Sequence, residues 1–109
     1  MRILIGLLFL TACSSDDGMA PPVAPTNLAI SSLTGGGHLT WTDNSDNEDQ
    51  FIVMRRTSAA ATFSDIDMVP FNQTQYHDSS VAAGMMYVYK IAAINAAGET
   101  TSNEVMFTP

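Results

Sequence analysis

Trp41-Thr42-Asp43-Asn44-Ser45-Asp46-Asn47-Glu48-Asp49-Gln50-Phe51-Ile52-Val53-Met54-Arg55 is the stretch whose reading decides the fold. A polar run, Thr42 to Gln50, separates the end of one apolar segment from the start of the next. Before it, Leu39 and Trp41 flank a polar Thr40, the period of two that puts both large side chains on one face of a strand. After it, Phe51 to Met54 has the aromatic and β-branched composition that suits a pleated, half-buried surface. Asp, Asn and Ser between them favour turns that bond their own backbone. Two strands joined by a structured polar loop follow from this stretch alone.

The same grammar extends in both directions. Leu28 and Ile30 alternate with small or polar neighbours, and Gly35-Gly36-Gly37 reads as a hairpin turn into His38-Leu39-Thr40-Trp41. Phe63 and Ile66 mark a weaker segment, Tyr76 opens a short one ending at Asp78-Ser79-Ser80, and His77 is read in the polar turn there. Tyr87 to Ile94 is the longest segment, and Val105-Met106-Phe107 closes the chain before Pro109. Ala59-Ala60-Ala61 is too short to hold a helix. Short strands punctuated by turns predict an all-β, seven-stranded antiparallel sandwich. Parity places Leu28, Ile30, Leu39, Trp41, Phe51, Val53, Tyr87, Tyr89, Ile91, Ala93, Val105 and Phe107 inward. The same parity turns Ile52, Met54, Val88, Ala92, Ile94 and Met106 outward, beside Arg56 and Lys90, as an apolar interaction patch of the kind that marks contacts.

From about Pro22 onward these motifs resemble a fibronectin type III domain of the bacterial extracellular kind, an immunoglobulin-like sandwich. Pro25-Thr26-Asn27-Leu28 is similar to its opening strand, and Leu39-Thr40-Trp41 to the strand whose tryptophan plugs the core. The run from Trp41 through Glu48 and Phe51 to Arg55 resembles the family's W-x-D-x-S-x-N-E-x-G-F…R. Val81, Gly84 and Tyr87 resemble its L-x-P-G-x-x-Y corner, and Tyr89 to Thr100 its Y-x-V-x-A-x-N-x-x-G-x-S. The resemblance implies a tyrosine corner, in which the Tyr87 hydroxyl bonds backbone a few residues upstream. Gln50 stands where the family has glycine and Ala83 where it has proline, departures that alter turn stiffness rather than fold.

The N-terminus has a different character. Met1-Arg2 supplies one positive charge, Ile3 to Leu10 a short apolar segment, and Thr11-Ala12 small residues, the order of an export signal too short to span a bilayer. Leu10-Thr11-Ala12-Cys13 resembles the bacterial lipobox. That resemblance implies cleavage after residue 12, diacylglycerol on the Cys13 thiol and acylation, as with palmitate, of the new amino terminus. Residues 1–12 are then the signal peptide, 13–24 a lipidated, flexible Pro/Asp-rich tether, and 25–109 the sandwich domain. Ser14, where aspartate would imply inner-membrane retention, leans the expectation toward the outer membrane or cell surface of a Gram-negative envelope.

Composition narrows the function. The chain has 109 residues, 46% hydrophobic and 14% charged, with a net charge of −7. That balance opposes nucleic-acid binding, which needs a basic surface to displace counterions. Cys13 is the one cysteine, so no intramolecular disulfide forms. His38 and His77 lie in separate segments without a nucleophile in sequence context, and no phosphate-cradling glycine loop opens a helix. Asp43, Ser45 and Asn47 alternate like calcium ligands, but the glycine and distal glutamate of such loops are missing. A structural loop is the expectation there, with calcium as the alternative. Asn72-Gln73-Thr74 is formally a glycosylation sequon, without meaning expected in a bacterium. The chain is expected to be no enzyme, to need no cofactor or metal, and to act as an envelope lipoprotein. Its anticipated partners are the membrane through its lipid, an envelope protein or glycan, and itself by weak self-association. The alternatives are a spacer without a specific ligand and an accessory to a separate glycan-active enzyme.

Overall fold

The computed structural model describes residues 20–109. Eight strands follow in order: β1 (Thr26–Leu33), β2 (Gly36–Thr42), β3 (Gln50–Thr57), β4 (Ser64–Pro70), β5 (Gln75–Asp78), β6 (Tyr87–Asn95), β7 (Gly98–Thr101) and β8 (Val105–Phe107). They form two antiparallel sheets. One is three-stranded in the order β1-β2-β5, and the other runs β4-β3-β6-β7 with β8 also pairing β6. Among the described residues no helix is long and apolar enough to cross a membrane.

Seven strands were expected, and eight form because the last one breaks. Thr101 pairs Ala92 and Val105 pairs Tyr89, so the outer chain uses one residue more than β6 does, the signature of a bulge. Ser102 keeps the ladder closed through both backbone and side chain. Its N–H donates to the Ile91 carbonyl at 2.8 Å, and its hydroxyl accepts from the Ile91 N–H at 2.9 Å. Asn103 then turns toward the other sheet. Its amide oxygen accepts from the Leu28 N–H at 3.0 Å and its amide nitrogen donates to the Leu28 carbonyl at 3.1 Å. One side chain thus imitates a pairing strand against β1 at the place where the regular ladder is interrupted.

The core lies between the sheets. Leu28, Leu39 and Trp41 of the small sheet meet Phe51, Val53, Val69, Tyr87, Tyr89, Ile91, Ala93 and Phe107 of the large one, with Ile30, Ile66, Tyr76, Val81 and Val105 packed at its margin. Trp41 approaches Phe51 edge-on, with ring centroids 5.6 Å apart, the geometry that aligns a ring's positive edge with another's negative face. The Tyr87 hydroxyl accepts from the Ala82 N–H at 2.8 Å, so the tyrosine corner is present and pins the segment leading into β6.

Two close approaches fix the rims. Gly35 has φ +87° in the β1–β2 turn, a left-handed conformation that costs glycine nothing. At Gly36 a Cβ would stand 2.0 Å from the Asp78 carbonyl oxygen, so β2 and the end of β5 come together only without a side chain there. At the opposite pole the chain from Ala20 to Ala24 lies along the domain instead of projecting from it. Pro22 and Pro25 are fully buried. The Ala20 carbonyl accepts from the Asn47 and Asn95 amides at 3.0 and 2.9 Å, and Asn44 donates to the Ala24 carbonyl at 3.0 Å. Prolines have no N–H to satisfy and the asparagines take up the carbonyls, so a proline-rich segment docks at little hydrogen-bonding cost. Trp41→Ala is expected to lower unfolding free energy by about 3–5 kcal/mol in a denaturant titration, against under about 0.5 kcal/mol for Thr40→Ala on the solvent side of the same strand.

Candidate interaction face and the polar junction behind it

The outer face of the large sheet is set by register. Gln50 pairs Ile94, Ile52 pairs Ala92, Met54 pairs Lys90 and Arg56 pairs Val88 across β3 and β6. Met68 of β4 flanks Ile52 and Met106 of β8 flanks Val88. None of these side chains belongs to the inter-sheet core cluster. The openness expected of them is corrected at three positions. Ile52, Val88 and Ala92 are only 6%, 4% and 0% exposed, because each lies on an inner strand flanked by a neighbour on both sides. Met54 and Ile94 are half-buried. The solvent-facing apolar surface is instead carried by Met68 and Met106, 55% and 70% exposed. Phe63 lies between two cations, with Lys90 Nζ 4.4 Å and Arg56 Cζ 5.3 Å from its ring centroid. Arg56 also reaches the Thr57 and Ala60 carbonyls at 3.4 Å, so this cluster holds the β3–β4 loop as well as marking the face.

Arg55, one residue along, points the other way. Its Nη1 donates to Asp78 Oδ2 at 2.8 Å and to Ser80 Oγ at 2.9 Å, and its guanidinium stacks 5.0 Å over the Tyr87 ring. The Tyr89 hydroxyl donates to the same Asp78 oxygen at 2.7 Å. The other carboxylate oxygen accepts from the Ser80 N–H and hydroxyl at 3.0 and 2.7 Å. Asp78 is 2% exposed and Arg55 21%, the one ion pair among the described residues. Burial pushes the Asp78 carboxyl up, but the bonds from Tyr89, Ser80 and Arg55 outweigh it and hold the group below its ordinary value. Arg55 is raised, since the hydrogen bond and charge of Asp78 overcome the burial that lowers it. Burial, then the bond to Asp78, raises Tyr89. Nearby, burial and the 3.1 Å bond to Asp67 push Tyr76 up to about 12. Nothing here is poised for proton transfer near neutrality: the arrangement is a satisfied structural junction.

The acidic loop is likewise committed to structure. Asp43 Oδ1 accepts from the Ser45 N–H at 3.0 Å, Ser45 and Asn47 bond side chain to side chain, and Asn44 and Asn47 hold residues 20–24. Glu48 is buried with neither carboxylate oxygen meeting hydrogen-bond geometry. Burial first, and then Asp43, raise its pKa. Among the described residues no group of three or more His, Cys, Asp or Glu could hold a metal ion. A shallow depression of about 640 Å³ opens at the β1–β2 turn, lined by Ser32, Leu33, Gly35, Val81, Ala83 and Pro109 among others, without a titratable side chain. Cys13 lies outside the described residues.

Sequence reasoning missed the junction. Asp78 was read as the polar end of a short segment, and its partners Arg55 and Tyr89 stand 23 and 11 residues away. The readable signal was Arg55 itself, an arginine whose parity with Phe51 and Val53 aims it inward and therefore calls for a buried anion.

No family model matches the chain. An amylopullulanase of Thermoanaerobacterium thermosulfurigenes is 30% identical over 99 residues, a match that takes in 87% of this chain but only 5% of that protein. Among solved structures, an Fn3-like protein from Clostridium thermocellum is 28% identical with a TM-score of 0.67, covering 81% of this chain and 94% of that one. An FN3 domain of human collagen XX is similar at 20% identity and a TM-score of 0.66, over 84% of this chain and all of that one. Pectate lyase PelI of Erwinia chrysanthemi, solved with tetragalacturonic acid, matches at 19% identity and a TM-score of 0.69, over 77% of this chain and 28% of that one.

Because the folded state depresses the Asp78 pKa, its stabilisation is present above the unfolded value of 3.8 and is lost as pH falls through the lower folded value. Asp78→Asn is expected to cost about 1.5–3 kcal/mol at pH 7. In denaturant titrations across pH, the gap to the unsubstituted protein narrows only below about pH 4.

Proposed function

We propose that this fibronectin type III-like module is a non-catalytic binding domain, held at a bacterial envelope by lipid on Cys13, that contacts a glycan-active or other envelope partner through the outer face of its large sheet. The observation that carries the proposal is the proportion of the similarities. The chain corresponds to 5% of an amylopullulanase and to 28% of a pectate lyase, so modules like it occur as minor parts of larger proteins named for action on glycans. A small part of such a protein is more naturally an accessory than the source of its chemistry, although the fold alone hosts many roles. The Leu10-Thr11-Ala12-Cys13 run supports the anchor, since acyl chains burying about 0.8 kcal/mol per CH₂ make release from a bilayer negligible once several are attached.

The outer face carries side chains suited to contact. It joins exposed Met68 and Met106 to half-buried Met54 and Ile94, and methionine adapts its shape to a partner at low cost. Lys90 and Arg56 at Phe63 add the cations of an otherwise acidic chain. A spacer without a ligand would leave this face unused, and substitutions there would be silent.

The decisive experiment is crosslinking and fractionation of native envelopes from cells producing the full chain, Cys13→Ala or Met106→Asp. The chain sediments with membrane and crosslinks a discrete partner. Cys13→Ala moves to the soluble fraction, while Met106→Asp stays in the membrane and loses the crosslink. Equal membrane retention of Cys13→Ala overturns the anchor, and an unchanged crosslink in Met106→Asp overturns the face. Ile52→Asp, by contrast, is expected to unfold the domain, because a carboxylate at that covered position has no partner.

A further inference from the structure

Register gathers four segments at one pole of the sandwich. Gln50 opens β3 there, paired to Pro70 at the close of β4 and to Ile94 near the close of β6. Beyond those pairs lie the 43–49 loop, the 71–74 turn and the 96–97 turn. The described chain begins at the same pole. The Ala20 carbonyl takes the Asn47 and Asn95 amides, and Asn44 holds Ala24. Pro21 lies so close to Gly98 that a Cβ there would stand 3.2 Å from the proline Cγ.

Where the chain enters the domain decides what this pole faces. Pro22 and Pro25 are fully buried, so residues 20–25 belong to the domain and add nothing to a tether. Only seven residue steps separate Ala20 from Cys13, and even fully extended they span no more than about 25 Å. The opposite pole, at the β1–β2 turn, stands a further strand length away, about 25 Å for the eight residues of β3. A lipid on Cys13 therefore presents this pole to the bilayer in preference to the other.

Two large apolar side chains stand open here. Val23 is 61% exposed and Phe71 57%, and neither joins the inter-sheet core. The surrounding charge is of one sign. Asp46, Asp49 and Glu99 are exposed at this pole, while Arg55, Arg56 and Lys90 all fall in the far half of the β3–β6 ladder. Such a surface is repelled by anionic lipid, which leaves a zwitterionic one as the fit.

We propose that this pole is a lipid-docking surface, with Val23 and Phe71 resting in the headgroup layer of a zwitterionic bilayer and the domain standing end-on above it. The proposal rests on the Cys13 anchor and adds the orientation that an anchor alone leaves open. Two side chains by themselves bury too little apolar area to hold a protein on a membrane. A short tether changes this, since it keeps the pair near the surface at an effective concentration of about millimolar order. The outer face of the large sheet then rises from the bilayer, open to a partner.

The test is fluorescence quenching of the lipidated full chain in phosphatidylcholine vesicles that carry a headgroup spin label. A nitrobenzoxadiazole label is attached through Ala97→Cys at the docked pole or Thr34→Cys at the opposite one, both exposed positions. Quenching is at least about twofold stronger at position 97 than at position 34, because only the docked pole lies within the headgroup layer. Phe71→Asp and Val23→Asp each lower the quenching at position 97 while the chain still floats with the vesicles and keeps its unfolding midpoint. Adding phosphatidylglycerol lowers it too, and salt restores it. Equal quenching at the two positions, or quenching at position 97 that neither aspartate variant lowers, overturns the docking. Equal or stronger quenching on anionic vesicles overturns the choice of surface. A chain that does not float with the vesicles overturns the anchor, and the orientation with it, whereas flotation without quenching overturns the docking alone.

Discussion

The two sheets of this domain are joined by a buried charge. Asp78 belongs to β5 of the small sheet, while Arg55 and Tyr89 reach it from β3 and β6 of the large one. A carboxylate buried this deeply is tolerated only when each lone pair is occupied and an opposite charge is close. Ser80 completes the set from the chain that leaves β5. Hydrophobic packing of Leu39, Phe51 and Ile91 presses the sheets together without specifying their offset. A carboxylate with four donors in fixed directions does specify it, since sliding one sheet by a single residue would strand the charge.

Other features follow from that alignment. Arg55 stacks on Tyr87, whose hydroxyl holds the Ala82 N–H, so the junction is continuous with the tyrosine corner. Gly36 passes against the Asp78 carbonyl, placing the β1–β2 turn at the rim of the open depression. The strand position that turns Asp78 inward turns His77 outward, against His38. His77 and the junction's Asp78 are thus consecutive residues of one short strand that face opposite ways.

What could be read from the sequence was what local pattern encodes. Period-two alternation identified the inward rows of β2, β3 and β6, and the Tyr87 corner and Trp41 plug came with the resemblance. Pairings between distant strands could not be read in this way. His38 and His77 meet because β5 adds to β2, and nothing within either segment announces the other. Asp78 looked like a solvated turn residue because the same Asp-Ser-Ser string would serve equally well in water. The break at Ser102 was invisible because the serine supplies a hydrogen bond that the backbone would otherwise make. Exposure of the outer face failed at Ile52, Val88 and Ala92 for a related reason: parity gives the direction of a side chain, and neighbours decide whether water reaches it.

The central claim is that Asp78 couples the sheets through Tyr89 and Arg55 and is not a passive buried acid. A double-mutant cycle between Asp78→Asn and Tyr89→Phe, read by denaturant unfolding at pH 7, tests it most directly. The account predicts a coupling of at least about 1 kcal/mol, with the second substitution costing much less once the first is in place. Additivity within about 0.5 kcal/mol would contradict it, and would leave the alignment of the two sheets to apolar packing alone.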